Sequence, residues 1–401
     1  MLFTTNRIME KKLFISTLSI LISLSAQAVA NSRVITSDST SKKLSHYNYI
    51  HDFYNNHSVV FKNIVKDGGN VEAYGLINTD GKEIIPPTTY VGLESPNKKG
   101  YVRAFTLNKN KRYNCGVIDM NNNIIIPFKY RDLNIWKDYD YIIYQEGMLI
   151  GEGVMNYKGQ VLISHLNSYP RITIIGKNVF AVLKDPVYSQ DRMTVNGKCV
   201  FIDEKQNVLK SFPNYSSIGS NIGEGLFMIK SKITDKFGAI DAKGNEIIKP
   251  IYDEIGDFSE GLSRVNIRKY INNDTYDNQY GFINKMGEVV VPLIYKGIGN
   301  KFHEGLVALI FTEKEHKWGY MDKNQKIVIP ATFREVEGFS SGLAKVVTDD
   351  NKNCFIDKTG KIIHTFDEIR SFVNGLAVIK INGKYAIIDS KGNIILKEDN
   401  E

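Results

Sequence analysis

The chain has 401 residues, 42% hydrophobic and 24% charged, too apolar to be disordered as a whole. A formal net charge of +7 is a mild excess for this length and falls well short of the dense basic face that nucleic-acid binding requires. Three cysteines, Cys115, Cys199 and Cys354, are too few and too widely spaced for a disulfide framework or a metal site, and read as small buried apolar residues. With 22 Tyr and 20 Phe against 2 Trp, the composition favours strands.

The first 30 residues have the layout of a secretory signal peptide. Met9-Glu10-Lys11-Lys12 supplies a short basic region, and Leu13 to Leu24 is an apolar run diluted only by Ser and Thr. Ala26-Gln27-Ala28 is a cleavage signal, with Ala28-Val29-Ala30 as a second option. The apolar run is shorter than the roughly 20 residues of a membrane span. Export to the periplasm or outside the cell is therefore expected, without a transmembrane anchor, from a start at Met1 or at Met9. Residues 31–46, rich in Ser, Thr and Lys, read as a flexible leader.

From Tyr47 to the end, residues 47–401 form one domain of about nine repeated units. Each opens with an aromatic residue, an aliphatic three positions on and often a second aromatic after three more. Tyr252, Ile255 and Phe258, followed by Gly261-Leu262, are the clearest case. The same connector recurs at Phe333, Val336, Phe339 and at Phe366, Ile369, Phe372, with weaker copies from Tyr47, Tyr90, Tyr130, Tyr169 and Tyr215. A short alternating strand follows, then an aromatic-Gly pair, an Asx turn and a β-branched strand that often ends in Pro. Lys317-Trp318-Gly319-Tyr320-Met321-Asp322 with Ile327-Val328-Ile329-Pro330 is the best-preserved copy. Asx side chains cap tight hairpins, and proline at a strand end stops ladder pairing. The connector's three-residue spacing predicts a 3₁₀ or irregular corner, leaving three strands per unit. The units around 145–210 are degenerate.

Trp318-Gly319-Tyr320-Met321-Asp322, Ile327-Val328-Ile329-Pro330, Phe339 and Gly342-Leu343 resemble the bacterial WG-repeat (KWG) family. The resemblance covers roughly 47–401 and is strongest from Phe237 to Gly392; Tyr74, Phe237, Tyr280 and Tyr385 stand where the family has Trp. It implies an all-β repeat array, frequent in exported or envelope proteins, with no shared catalytic residues to transfer. Repeats of this size stack to bury their faces, as solenoids or propellers. Neither terminus carries an obvious part-blade and unit lengths vary, so the expectation is an open, solenoid-like stack of three-stranded antiparallel units rather than a closed β-propeller.

No nucleotide-binding, metalloprotease or serine-hydrolase motif is present. His46, His51 and His57 near Asp52 match no common ligand spacing. The turn residues Asn78, Asp119, Asn156, Asp203, Asp241, Asn284, Asp322, Asp357 and Asp389 read as hairpin caps rather than calcium ligands, since each turn holds a single acid, often beside a lysine. Lys158, Lys205, Lys243, Lys285, Lys323, Lys358 and Lys391 occupy the same edge of successive units and could grip an anionic polymer; solvated turn lysines are the simpler reading. No catalytic, cofactor or metal residue is assigned. The expected function is that of an exported non-catalytic scaffold binding a protein partner in the cell envelope, with a glycan- or peptidoglycan-binding module as the alternative.

Overall fold

The computed structural model describes residues 44, 46–66, 68–136, 139–147, 151–167, 169–189, 195–272, 275–310 and 316–397. The expected signal peptide, and the leader apart from Leu44 and His46, lie outside the described residues.

Nine small antiparallel sheets follow one another along the chain, each built from one contiguous stretch. Blades 1 to 9 span 49–90, 92–130, 132–163, 172–211, 215–252, 254–295, 298–333, 335–366 and 368–397. In each, the strands run in sequence order from the ring centre to the rim. The expected three-stranded unit is corrected to four strands. Eight blades have four strands, and in blade 7 the bridge between Ile298 and Leu309 stands in for the first. The additional strand is the connector itself, where Glu254 and Ile255 pair with Asn266 and Val265. Only Asp253 separates Tyr252, the last residue of blade 5, from Glu254. The three-residue spacing therefore reflects a bend between two strands and not a helical corner. The bend lets Tyr252, Ile255 and Phe258 enter the same core between blades 5 and 6.

The expected open stack is also corrected: the blades close into a ring. Nine apolar clusters fill the nine junctions between neighbouring blades. Eight join consecutive blades. The ninth sets Leu44, Tyr47, Ile50, Phe53, Val60 and Ile77 of the first unit against Val378, Ile387 and Leu396 of the last. Arg370 reinforces this junction, its guanidinium 4.1 Å from the Tyr49 ring centre and 3.8 Å from the Asp52 carboxylate. Among the described residues, no strand is exchanged between the first and last blades. Packing by sheet faces needs no shared blade, so the absence of a part-blade does not prevent closure.

The aromatic-Gly motif now has a structural reason. In blade 7, Tyr320 pairs with Ile329 but Trp318 pairs with Phe333, so the rim strand bulges outward by two extra residues around Pro330. Gly319 lies beneath that bulge, where a Cβ would strike the Ile329 carbonyl oxygen and the Pro330 backbone. The same collision would occur at Gly75, Gly116, Gly238 and Gly281, each opposite a bulge that carries proline. Where the ladder instead stays paired, a side chain fits: Val200 faces Ser211, Cys354 faces Thr365 and Ala386 faces Lys397. Glycine and proline are thus coupled across the two rim-side strands.

Gly319→Ala is expected to destabilise the fold by about 2 kcal/mol through overpacking. Ala386→Gly is expected to cost less, about 1 kcal/mol, from backbone entropy alone. Denaturant unfolding of both variants tests this; equal losses would contradict the bulge argument.

Candidate functional site

The two faces of the ring carry different elements. One carries the corners between first and second strands together with the Asx turns between third and fourth. The other carries the hairpin tips between second and third strands.

On the first face, the Asx residues cap their own turns. Asp119 Oδ1 accepts the N–H groups of Asn121 at 2.9 Å and Asn123 at 2.8 Å. Asn78, Asn156, Asp241, Asn284, Asp322, Asp357 and Asp389 each accept two turn N–H groups in the same way, and Asp203 accepts that of Asn207. One oxygen of each is spent on the backbone, and the second oxygen of Asp119, Asp203, Asp241 and Asp389 accepts an Asn side chain. The side chains of Asn123, Asn207 and Thr359, together with turn N–H groups, hold the Asp119, Asp203 and Asp357 carboxyls below the ordinary range. Among the described residues, no group of three or more His, Cys, Asp and Glu side chains is gathered to hold a metal ion. His46 pairs with Glu83 at 3.5 Å, His57 bonds the Asn55 carbonyl at 2.7 Å, and His51 stacks edge-on against Tyr49. The structure does not bring the three together. The three cysteines are buried and unbridged; burial pushes the Cys115 thiol up to about 12 and Cys199 to about 11.

Two of the turn lysines serve the ring itself. Lys323 lies 3.1 Å from the Glu260 carboxylate of the preceding blade and donates to the Glu260 carbonyl at 3.0 Å. The same carboxylate accepts the Gly305 N–H at 3.0 Å. Burial raises the Glu260 carboxyl, but Lys323 and Gly305 outweigh it and hold the group below its ordinary value. Lys358, Glu304 and Gly342 repeat the arrangement one blade on, at 3.1 Å for both contacts. Blade 8 has Ser341 at the corresponding corner position, so the latch stops there. Lys158, Lys205, Lys243, Lys285 and Lys391 remain exposed on the same face.

The corners enclose the ring centre. Blades 1, 6, 7, 8 and 9 share one corner, closed by a bridge such as Ser259 to Leu262. Blades 3 and 4 lack it. Blade 4 turns at Asn178, with φ at 60°, directly from 172–176 to 179–188. Blade 3 instead extends its first strand over Asp132–Ile135 and places Trp136 at the corner. Two cavities open beside this strand. One of 680 Å³ is walled by blades 1, 2, 3 and 9, including Tyr54, Arg103 and Asn374. The other, of 630 Å³, is walled by blades 3, 5, 6 and 7, including Trp136, Asn221 and Phe258. Asn134 and Ile135 line both, and Asn134 and Trp136 also line a 120 Å³ recess beside Glu152 and Arg171.

The charges here are largely matched. Arg103 donates to Asp132 at 2.8 Å and bonds Glu94; Lys301 lies 2.9 Å from Asp257. Burial pushes the Glu152 carboxyl up, against the Ile172 N–H that it accepts at 2.7 Å. Sequence reading did not single out Trp136. The signal for it was its place in a unit that lacks the Gly-Leu corner.

Repeat pattern, blade hairpins and ring together define a nine-bladed β-propeller of WG type. The chain belongs to the WG-containing repeat family, which matches at residues 74–109, 116–147, 237–270, 280–311, 318–352 and 355–385. The stretch between 147 and 237, which includes blade 4, is unmatched. No curated protein matches the chain. Among solved structures, the β-propeller domain of the Trilobed protease from Pyrococcus furiosus is 12% identical, with a TM-score of 0.37, over 80% of this chain and 96% of that one. BamB from Moraxella catarrhalis is 10% identical, with a TM-score of 0.34, over 87% and 96%. Apo AztD from Citrobacter koseri is 10% identical, with a TM-score of 0.34, over 88% and 94%. At these distances no activity or partner carries over.

The capping carboxylates make the fold acid-sensitive in a defined direction. A depressed carboxyl stabilises the fold above its ordinary value of 3.8, and that stabilisation is lost as pH falls through the folded value. The triple variant Asp119→Asn, Asp203→Asn, Asp357→Asn keeps an accepting oxygen and removes the titration. It should be less stable than the parent at pH 7 in denaturant unfolding, with the gap closing as pH falls through the folded carboxyl range; a gap that does not change with pH would contradict this.

Proposed function

We propose that this chain is an exported, non-catalytic β-repeat scaffold that binds a protein partner in the bacterial cell envelope. One observation carries the binding part of this reading: the hairpin tip of blade 6. There Tyr270, Ile271 and Tyr276 are 62%, 67% and 44% exposed. The two tyrosine rings meet edge to face at 5.8 Å, and the Arg268 guanidinium covers Tyr276 at 4.9 Å. Clustered Tyr and Arg side chains of this kind carry most of the energy in protein interfaces, because they bring large, stiff contact areas at little entropic cost. The propeller holds the tip on a long hairpin, 262–270 paired with 276–284, clear of the ring. The export part of the reading is supported by the signal-peptide layout of the first 30 residues.

One experiment tests both parts. Protein recovered from the native cell envelope should begin at Val29 or Asn31 and should carry a partner through affinity capture. The variant Tyr270→Ala, Tyr276→Ala should retain that partner about 30-fold more weakly, as loss of a hot spot of about 2 kcal/mol requires. An N-terminus at Met1 or Met9 would remove export. Equal retention by parent and variant would remove the tip as the binding surface.

A further inference from the structure

We infer that the central cavity of the ring, on the corner-bearing face, binds a linear, uncharged oligosaccharide. This site is separate from the hairpin tip of blade 6, and the inference does not rest on the protein-binding reading.

The cavities of 680 and 630 Å³ lie side by side with Asn134 and Ile135 lining both, one reaching blades 9, 1 and 2 and the other blades 5, 6 and 7. Each alone is the size of a small-molecule site, and the pair suits a chain of several linked units. Beside this space, the described residues of blades 3 and 4 show no corner bridge of the kind that blades 1, 6, 7, 8 and 9 carry. It thus coincides with the part of the chain where the repeat pattern weakens. Local departures from an otherwise consistent pattern are where function is expected to have overridden it.

The lining chemistry then selects the ligand. Asn134 is exposed and lines all three recesses, and its side chain has no hydrogen-bond partner among the described residues. A free carboxamide offers both donor and acceptor, the pairing that sugar hydroxyls require. Trp136 and Tyr54, on opposite sides of Asn134, supply flat faces that match the apolar faces of pyranose rings. The linings carry five carboxylates (Glu94, Asp132, Glu152, Glu224 and Asp257) against four cations (Lys98, Arg103, Arg171 and Lys301), with Arg103 and Lys301 already in ion pairs, so they hold no positive excess for an anionic polymer. An extended peptide is disfavoured for a separate reason. Strand addition needs a free edge, yet the cavity-facing edge of 132–135 is already occupied at Leu133. The Leu133 N–H donates to Asp132 Oδ1 at 3.0 Å, and the Leu133 carbonyl accepts from Arg103 at 2.6 Å.

The test uses the full chain carrying Trp318→Phe, which leaves Trp136 as the only tryptophan. Trp318 lines none of these cavities, and Phe237 fills the equivalent position in blade 5. Cellohexaose and chitohexaose are titrated while Trp136 emission is followed, at low and high salt. At least one should give a saturable change whose midpoint is unmoved by salt. Calorimetry on the parent and on Trp136→Ala and Asn134→Ala should show binding about tenfold weaker or more in each variant. The Asn134 side chain is exposed and has no partner among the described residues, so its variant reads binding even if Trp136→Ala fails to fold. No response of Trp136 to either sugar, undiminished binding in Asn134→Ala, or affinity that collapses at high salt would each overturn the inference.

Discussion

Everything in this molecule depends on face-to-face packing between neighbouring sheets. A blade of four short strands has too little apolar area to stand alone. Its two faces are both apolar, and each needs a neighbour. In an open stack the first and last blades would each leave one face in water. Closing the ring removes both costs at once. The connector aromatics make this packing possible: Phe302, Phe339 and Phe372 are buried at successive junctions, each beside a ring of the adjoining strands. The carboxylate latches of Glu260 and Glu304 and the contacts of Arg370 sit at the periphery of these junctions. Exposed ion pairs of this kind contribute little to stability and serve better to fix the register of one blade on the next.

The repeat was legible because its signals are local. Turn capping by Asx, proline at a strand end and the spacing of Tyr252, Ile255 and Phe258 all act within a few residues, so nine units could be counted from the chain alone. The first strand was not legible. A two-residue strand such as Glu254–Ile255 is too short to show alternation. Closure was not legible either, because it depends on the rotation between successive sheets summed around the ring. That rotation is set by how faces interdigitate, which no single residue type encodes. The glycine of the aromatic-Gly pair could have been read further: outside blade 3 it travels with proline in the following strand, and both are lost together in blades 4, 8 and 9.

The functional surfaces follow the same division. Where the repeat is strict, side chains are committed to caps, latches and junctions, and Lys323 and Lys358 show how a row of surface lysines can be structural in part. Where it relaxes, at blades 3 and 4, the chain gives up a corner and opens the centre around Asn134 and Trp136. The strict blades supply rigidity, and the departures supply places to bind.

Ring closure is the central claim, and one distance measures it. Asn55 and Asn374 line the same cavity from the first and last blades, and the three native thiols are buried away from labelling reagents. Spin labels on Asn55→Cys and Asn374→Cys should report a short, narrow distance by pulsed dipolar spectroscopy. An open stack of nine sheets about 10 Å apart would place these blades roughly 80 Å from each other, and a distance of that order would contradict the ring.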